Sequence, residues 1–460
     1  MEKKIVFGDE WITASFPAGT RTVSPSLGVP LPGVADLEGA IREALERPLE
    51  RPPLRELARG ASRVTVAFDD PTVPCWAPVW ATAIPLILVE LERAGVDRRA
   101  VTLLCANALH RKFTERELTG ILGEELVTQF AGRLLCHDAE DPPNLVYLGR
   151  TPSGYDVELH RLVADSDLVI YLNASCSGGF SGGWKSICVG LSTWRSIRWH
   201  HTPEIMSMSL GRNRLHEFLD EMGAFVEERL GAERFFKIET VLANPMEVAR
   251  VWGGSVGATR REALELQRRH HVARRDLLDE KVDVVCYGVP NWSPYAAYSS
   301  MNPLLTLVST GLGYLGGMIE ALGKPGCSVI LATPCPRQWD EVHHPSYREV
   351  WERVLARSTD PHEIMQIYEP EFSAREDWIQ KYRHENGFHA IHGLMATHPL
   401  KRLRHAGRVF VAGIEDPTLA RHLAFEPTAT VEEALARARE IHGPEASVVL
   451  VEYPMAFNRQ

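Results

Sequence analysis

Seven short runs dominated by Val, Ile, Leu and Ala punctuate the chain: VTVAF at 64–68, VTLLCA at 101–106, LVIYLN at 168–173, VDVVCYGVP at 282–290, SVILATP at 328–334, VFVAGI at 409–414 and VVLVEYP at 448–454. They are continuous rather than alternating in hydropathy, and each leads into a turn or a stretch with helical spacing. Strands buried on both faces read this way, because helices cover a parallel sheet above and below. The pattern predicts an α/β fold of two domains, each with a mainly parallel sheet flanked by helices. A highly charged stretch of helical pattern, ELQRRHHVARRDLLDEK at 265–281, separates the first three runs from the last four. It puts the domain junction there, giving an N-terminal domain over 1–268 and a C-terminal domain over 269–460. The last strand, near Val448, is a candidate to return to the first domain. The most apolar long window, 303–322, holds four glycines and Glu320 and is expected in the core rather than across a membrane.

Composition narrows the function classes. With 45% hydrophobic and 24% charged residues over 460 positions, the chain has material for two or three cores. A formal charge of -10 argues against nucleic acid as a partner, since phosphate-backbone binding concentrates Lys and Arg. The short basic cluster RRHHVARR at 268–275 reads as a solvated helix face. No apolar run at the start, MEKKIVFGDEW, resembles a secretory signal, so a cytoplasmic enzyme with no membrane partner is expected. The eight cysteines form no CxxC pair, which leaves buried thiols as the expectation. Only Cys176 sits where contact with a ligand is expected.

In open α/β sheets ligands bind beyond the carboxyl ends of the strands. Three such ends carry reactive side chains: DDPTVP at 69–74, NALHR at 107–111, and the stretch from Asn173 to Lys185. Thr114 and Glu117 are spaced as a capping box, which predicts a helix just after His110. The third end includes SGGFSGGWKS at 177–186, where glycines at 178, 179, 182 and 183 let backbone amides approach an anion and Ser181 adds a hydroxyl. Trp184 intervenes between Gly183 and Lys185, so the loop is not a nucleotide-triphosphate loop, and GxGxxG spacing is absent. A phosphorylated ligand other than ATP or a dinucleotide fits. Of His200 and His201, adjacent in sequence, at most one faces such a site. The histidines at 343, 344, 384, 389, 392 and 398 match no standard zinc spacing and read as incidental.

These motifs together resemble the nickel-dependent lactate racemase family over most of the length. The matching segments are DPTVP at 70–74, LHRKFTEREL at 109–118, LGEEL at 122–126, LGRTPSG at 148–154, GFSGGWK at 179–185, His201, and TVEEAL at 430–435. The resemblance implies a nickel-pincer nucleotide, a pyridinium mononucleotide that grips nickel, in a cleft between the two domains. Asp70, Thr72, Gly179, Ser181, Gly182 and Gly183 would cradle it, Lys185 would bond to it covalently, and His201 would complete nickel coordination. His110 would withdraw the hydroxyl proton while hydride moves to the cofactor, the result being inversion of a carbinol centre. Proteins that make the cofactor are implied as partners.

Departures from the family pattern redirect the substrate. The second catalytic histidine corresponds to Ser175, the arginine of the first motif to Val73, and the substrate-facing lysine to a position near Ser300. Trp378 matches the family's tryptophan. Without the two cations, lactate would lack its clamps, so the expected substrate is a larger hydroxy acid, a related secondary alcohol or a polyol. Tyr298, Ser300 and Trp378, with Trp292 and Tyr295, are the expected contacts. The implied activity is that of an isomerase, a racemase or epimerase working by reversible hydride transfer. The alternative is a non-catalytic cofactor-binding or carrier protein of the same fold.

Overall fold

A computed structural model describes residues 1–24, 31–175, 181–206, 214–270 and 274–452. Every one of the seven apolar runs forms a parallel strand in one of two six-stranded sheets. The chain divides into two units. One comprises 29–271 with 379–389, and the other 1–28, 272–378 and 390–460.

In the unit built on 29–271 the strands lie in the order Glu247–Gly254, Phe235–Asn244, Leu168–Ser175, Val64–Asp69, Val101–Ala106, Leu134–Cys136. All neighbours are parallel except the Glu247–Gly254 edge. Strands added outward to one side of Val64–Asp69, then to the other, make a doubly wound sheet. Its topological switch lies between Val64–Asp69 and Leu168–Ser175, and a ligand crevice is expected at their carboxyl ends. The helix Val79–Arg93 covers one face through Trp80, Ala83, Ile84 and Ile87. The predicted capping box is present: Thr114 and Glu117 exchange side-chain and backbone hydrogen bonds at the start of Glu115–Leu122.

The second unit holds an all-parallel sheet in the order Glu426–Thr428, Ala406–Ala412, Gly323–Ala332, Val282–Gly288, Val448–Val451, Arg21–Val23. Two assignments of the sequence reading change here. Val448–Val451 does not return to the first domain, because it pairs with Val282–Gly288 inside this sheet. Residues 1–28 do not belong with 29–268, since Arg21–Val23 adds an edge strand beside Val448–Val451. The reason is edge pairing: a three-residue strand is too short to announce itself, but an open sheet edge takes it up. The apolar window becomes a buried π-helical segment, Leu304–Tyr314, followed by Gly317–Leu322. Leu304, Leu305, Leu307, Val308 and Leu312 are wholly buried there.

Two buried imidazoles make the first unit acid-sensitive. His137 and His160 face each other at 5.5 Å between ring centroids. Burial lowers both from 6.5, to about 3 for His137 and about 4 for His160. The unfolded chain therefore binds more protons than the folded one below pH 6.5, so this stability is present above that value and is lost as pH falls towards 4. Each ring is expected to cost about 2 kcal/mol by pH 5. Urea unfolding at pH 7.5 and at pH 5 measures it, and equal midpoints would refute the assignment.

Candidate functional site

The first two strand ends meet as the topology requires. Asp70 is 3% exposed and turns back on its own loop, where its Oδ1 accepts from the Thr72 backbone N–H at 3.1 Å and from Thr72 Oγ1 at 2.5 Å. Its Oδ2 lies 2.8 Å from His110 Nδ1. A carboxylate on Nδ1 favours the tautomer with the proton there, which presents Nε2 as the proton-accepting nitrogen. The ring is part-exposed while the carboxylate is buried, as a base that must meet a solute requires.

His110 stands on a tightly wired turn. Asn107 Nδ2 donates to the His110 and His137 carbonyls, and the His110 N–H donates to Asn107 O at 2.7 Å. Ala108 adopts φ +49°, a left-handed conformation that a residue with a Cβ rarely takes outside functional turns.

The third strand end is organised by residues the sequence reading passed over. Phe235–Asn244 carries Lys237 and Glu239, both fully buried. Lys237 Nζ donates to Ser186 Oγ at 2.6 Å and lies 4.2 Å from the Tyr171 ring centroid. Burial lowers the lysine to about 8, opposed by the charges of Glu239 and Asp69. Asp69 is raised by burial, although it accepts from Tyr171 Oη at 2.6 Å and the Ala174 N–H at 3.0 Å.

Glu239 accepts from the Gly183 N–H at 3.1 Å and from Asn173 Nδ2 at 3.3 Å. Arg260 donates to the Ser181 carbonyl. A Cβ on Gly182 would fall 1.9 Å from Glu239 Oε1, and one on Gly183 would fall 3.2 Å from Arg260 Cδ. Both glycines have positive φ, +91° and +55°. The anion that the Gly183 amide meets is thus the protein's own carboxylate. Gly179, with Cys176, lies outside the described residues.

Trp184 separates glycine from lysine because it is a core residue. It is 6% exposed, stands edge-on to Phe235 at 5.4 Å, and leaves no room for a Cβ at Gly223. Lys185 then opens the short helix Lys185–Cys188. Its charge is felt at His200, Asp69 and Lys237, so the amine shares the neighbourhood of the buried network. His200 is wholly buried and lowered to about 3, by burial first and then by Lys185 and His216. Its Nδ1 lies 2.7 Å from His201 Nδ1, so one ring donates to the other. With His201 donating, its Nε2 keeps a lone pair suited to a metal. Ser175, at the end of Leu168–Ser175, is buried, and among the described residues its Oγ has no hydrogen-bond partner.

In the other unit Tyr298 is exposed with φ +56°, Ser300 is half-buried, and Trp378 is buried. The Trp378 ring is committed to packing, with Arg375 3.7 Å above it and Phe372 at 5.0 Å. Four of the incidental histidines have protein partners: His343 with Asp340, His344 with the Tyr295 carbonyl, His389 with Glu140, and His392 with Tyr347. Among the described residues, no group of three or more His, Cys, Asp or Glu could hold a metal ion. A metal at His201 would need ligands carried by a cofactor, and the lysine, the imidazole pair and the unpartnered Ser175 hydroxyl fit such a group.

The pattern of the lactate racemase N-terminal domain matches residues 8–211. Residues 8–211 thus resemble the N-terminal domain of lactate racemases. The lactate racemase of Lactiplantibacillus plantarum is 26% identical over 223 residues, which is 47% of this chain and 51% of that protein. The lactate racemase of Thermoanaerobacterium thermosaccharolyticum is 28% identical over 183 residues, 39% of this chain and 42% of that protein. The chain thus matches about half the length of these curated relatives or less. The lactate racemase apoprotein structure from the latter organism shares the fold, with a TM-score of 0.68 at 19% identity over 98% of each chain. The family match contains Asp70, Thr72, His110, Ser175, Lys185 and His201.

Proposed function

We propose that this protein is a racemase or epimerase of a hydroxy acid or related secondary alcohol other than lactate, and that it works with a nickel-pincer nucleotide. The observation that carries the reading is the Asp70–His110 pair, which joins the carboxyl ends of Val64–Asp69 and Val101–Ala106 beside the switch of the doubly wound sheet. When bound, the cofactor would supply a reversible acceptor for hydride. His110 Nε2 would take the hydroxyl proton of the substrate, and Asp70 would hold the ring and stabilise its charged form. Proton transfer of this kind contributes roughly 10²- to 10⁴-fold. Lys185 would anchor the cofactor and His201 would bind its nickel. Ser175 would offer a hydroxyl where a second base is absent.

The residue types at 73 and 300 support a substrate other than lactate. Val73 packs partly buried against the hydrophobic core and brings no charge to the loop. Neither Val73 nor Ser300 can clamp a small carboxylate, so polar contacts from Ser and Tyr side chains would select a bulkier hydroxy acid or polyol.

Co-production with the cofactor-making enzymes provides the test. Intact mass should show an adduct that Lys185→Ala removes. Carbon-deuterated hydroxy acids and sugar acids should then be inverted with the label kept on carbon. Washout of the label into solvent would overturn the hydride reading, and lactate as the best substrate would overturn the specificity.

A further inference from the structure

We infer that residues 379–389 form a strap that positions the His110 turn, with Tyr382 as the positioning residue. This rests on the reading of His110 as the base. The strap is distant in sequence from the turn, yet it meets four of its residues. Tyr382, wholly buried, donates its hydroxyl to Ala108 O at 3.1 Å and accepts from the Ala139 N–H at 2.9 Å. It therefore ties the loop after Val101–Ala106 to the loop after Leu134–Cys136. The His389 N–H donates to Leu109 O at 3.1 Å, and the Phe388 ring lies 5.7 Å from the His110 ring. Lys112 Nζ donates to Arg383 O at 2.6 Å.

The strap is itself anchored by charge. Arg383 Nη2 donates to Asp141 at 2.7 Å and its Nε to Asp138 at 3.4 Å, and His389 Nε2 lies 2.9 Å from Glu140. These three carboxylates follow His137 on one loop, so the strap is pinned between that loop and the His110 turn. What needs pinning is Ala108. Its left-handed backbone is held by Tyr382 at the carbonyl and by Gly190 O at the N–H, at 2.9 Å. Such a conformation persists only where its surroundings over-determine it. Release of the Ala108 carbonyl would let the turn relax and carry the His110 ring off Asp70.

Tyr382→Phe removes only the hydroxyl. In the cofactor-loaded enzyme kcat should fall roughly 10- to 100-fold with KM within about twofold, because a misplaced base slows chemistry without touching substrate binding. In unloaded, nitrogen-labelled protein the downfield Nδ1–H resonance of His110 should broaden or vanish. Tyr287→Phe, which deletes a buried hydroxyl donating to Gly311 O in the other unit, should leave both unchanged. If Tyr382→Phe fails to fold, Arg383→Gln serves as the second variant with the same expected signs. An unchanged His110 resonance in a folded variant overturns the strap. A wild-type enzyme without racemase activity overturns the proposed function instead, while the resonance still tests the positioning.

Discussion

Glu239→Leu is expected to lower the unfolding free energy by about 3–5 kcal/mol and to abolish the Lys185 adduct. The carboxylate is wholly buried, opposes the desolvation of Lys237, and receives the Gly183 N–H and Asn173 amide. Leucine leaves the buried ammonium with Asp69 as its remaining counter-charge and two donors without the acceptor they had, and each loss is costly in a buried site. Lys237→Met added to Glu239→Leu should recover about 1–3 kcal/mol, because the stranded charge is then gone. The adduct should stay lost, since the turn before Lys185 still lacks the acceptor for Gly183. Urea unfolding of the four members of the cycle, with intact mass of each, measures both effects. Additive costs for the two substitutions would show that the groups do not act as a pair.

His110→Ala should lower kcat by about 10²- to 10⁴-fold. It should leave the proposed Lys185 adduct and nickel in place, because the ring is held by Asp70 and Thr72 and serves the proton. Asp70→Asn should cost about as much, since an amide N–H facing Nδ1 favours the tautomer that protonates Nε2 and removes the acceptor. Loss of nickel from His110→Ala would instead place the imidazole in metal coordination and remove it as the base.

One half of the candidate site, the polar side chains at strand ends, was legible from residue type and place alone. Asp70, His110 and Lys185 follow apolar runs, and the carboxyl ends of parallel strands converge by geometry. Its supporting half was hidden for an equally definite reason. FFKIETVLAN at 235–244 reads as an interrupted, half-solvated strand because Lys237, Glu239 and Thr240 break the apolar run. All three are buried, and the strand lies inside the sheet. Sequence hydropathy counts a charge as exposed, whereas a charge with a counter-charge and donors can be interior. The glycine turn hid a partner in the same way. Gly182 and Gly183 signal close approach to an anion, but not that the anion is a side chain of the same protein.

What the chain decides by itself is its local chemistry: continuous apolar runs make parallel strands, Thr114 and Glu117 cap a helix, and polar residues gather at strand ends. Those follow from hydropathy period and hydrogen bonding over a few residues. Only the tertiary structure decided that Arg21–Val23 completes the second sheet, that Glu239 sits under the glycine turn, and that Tyr382 reaches Ala108. These are pairings between groups far apart in sequence, and their energy exists only once a core has excluded water and brought them within hydrogen-bond distance.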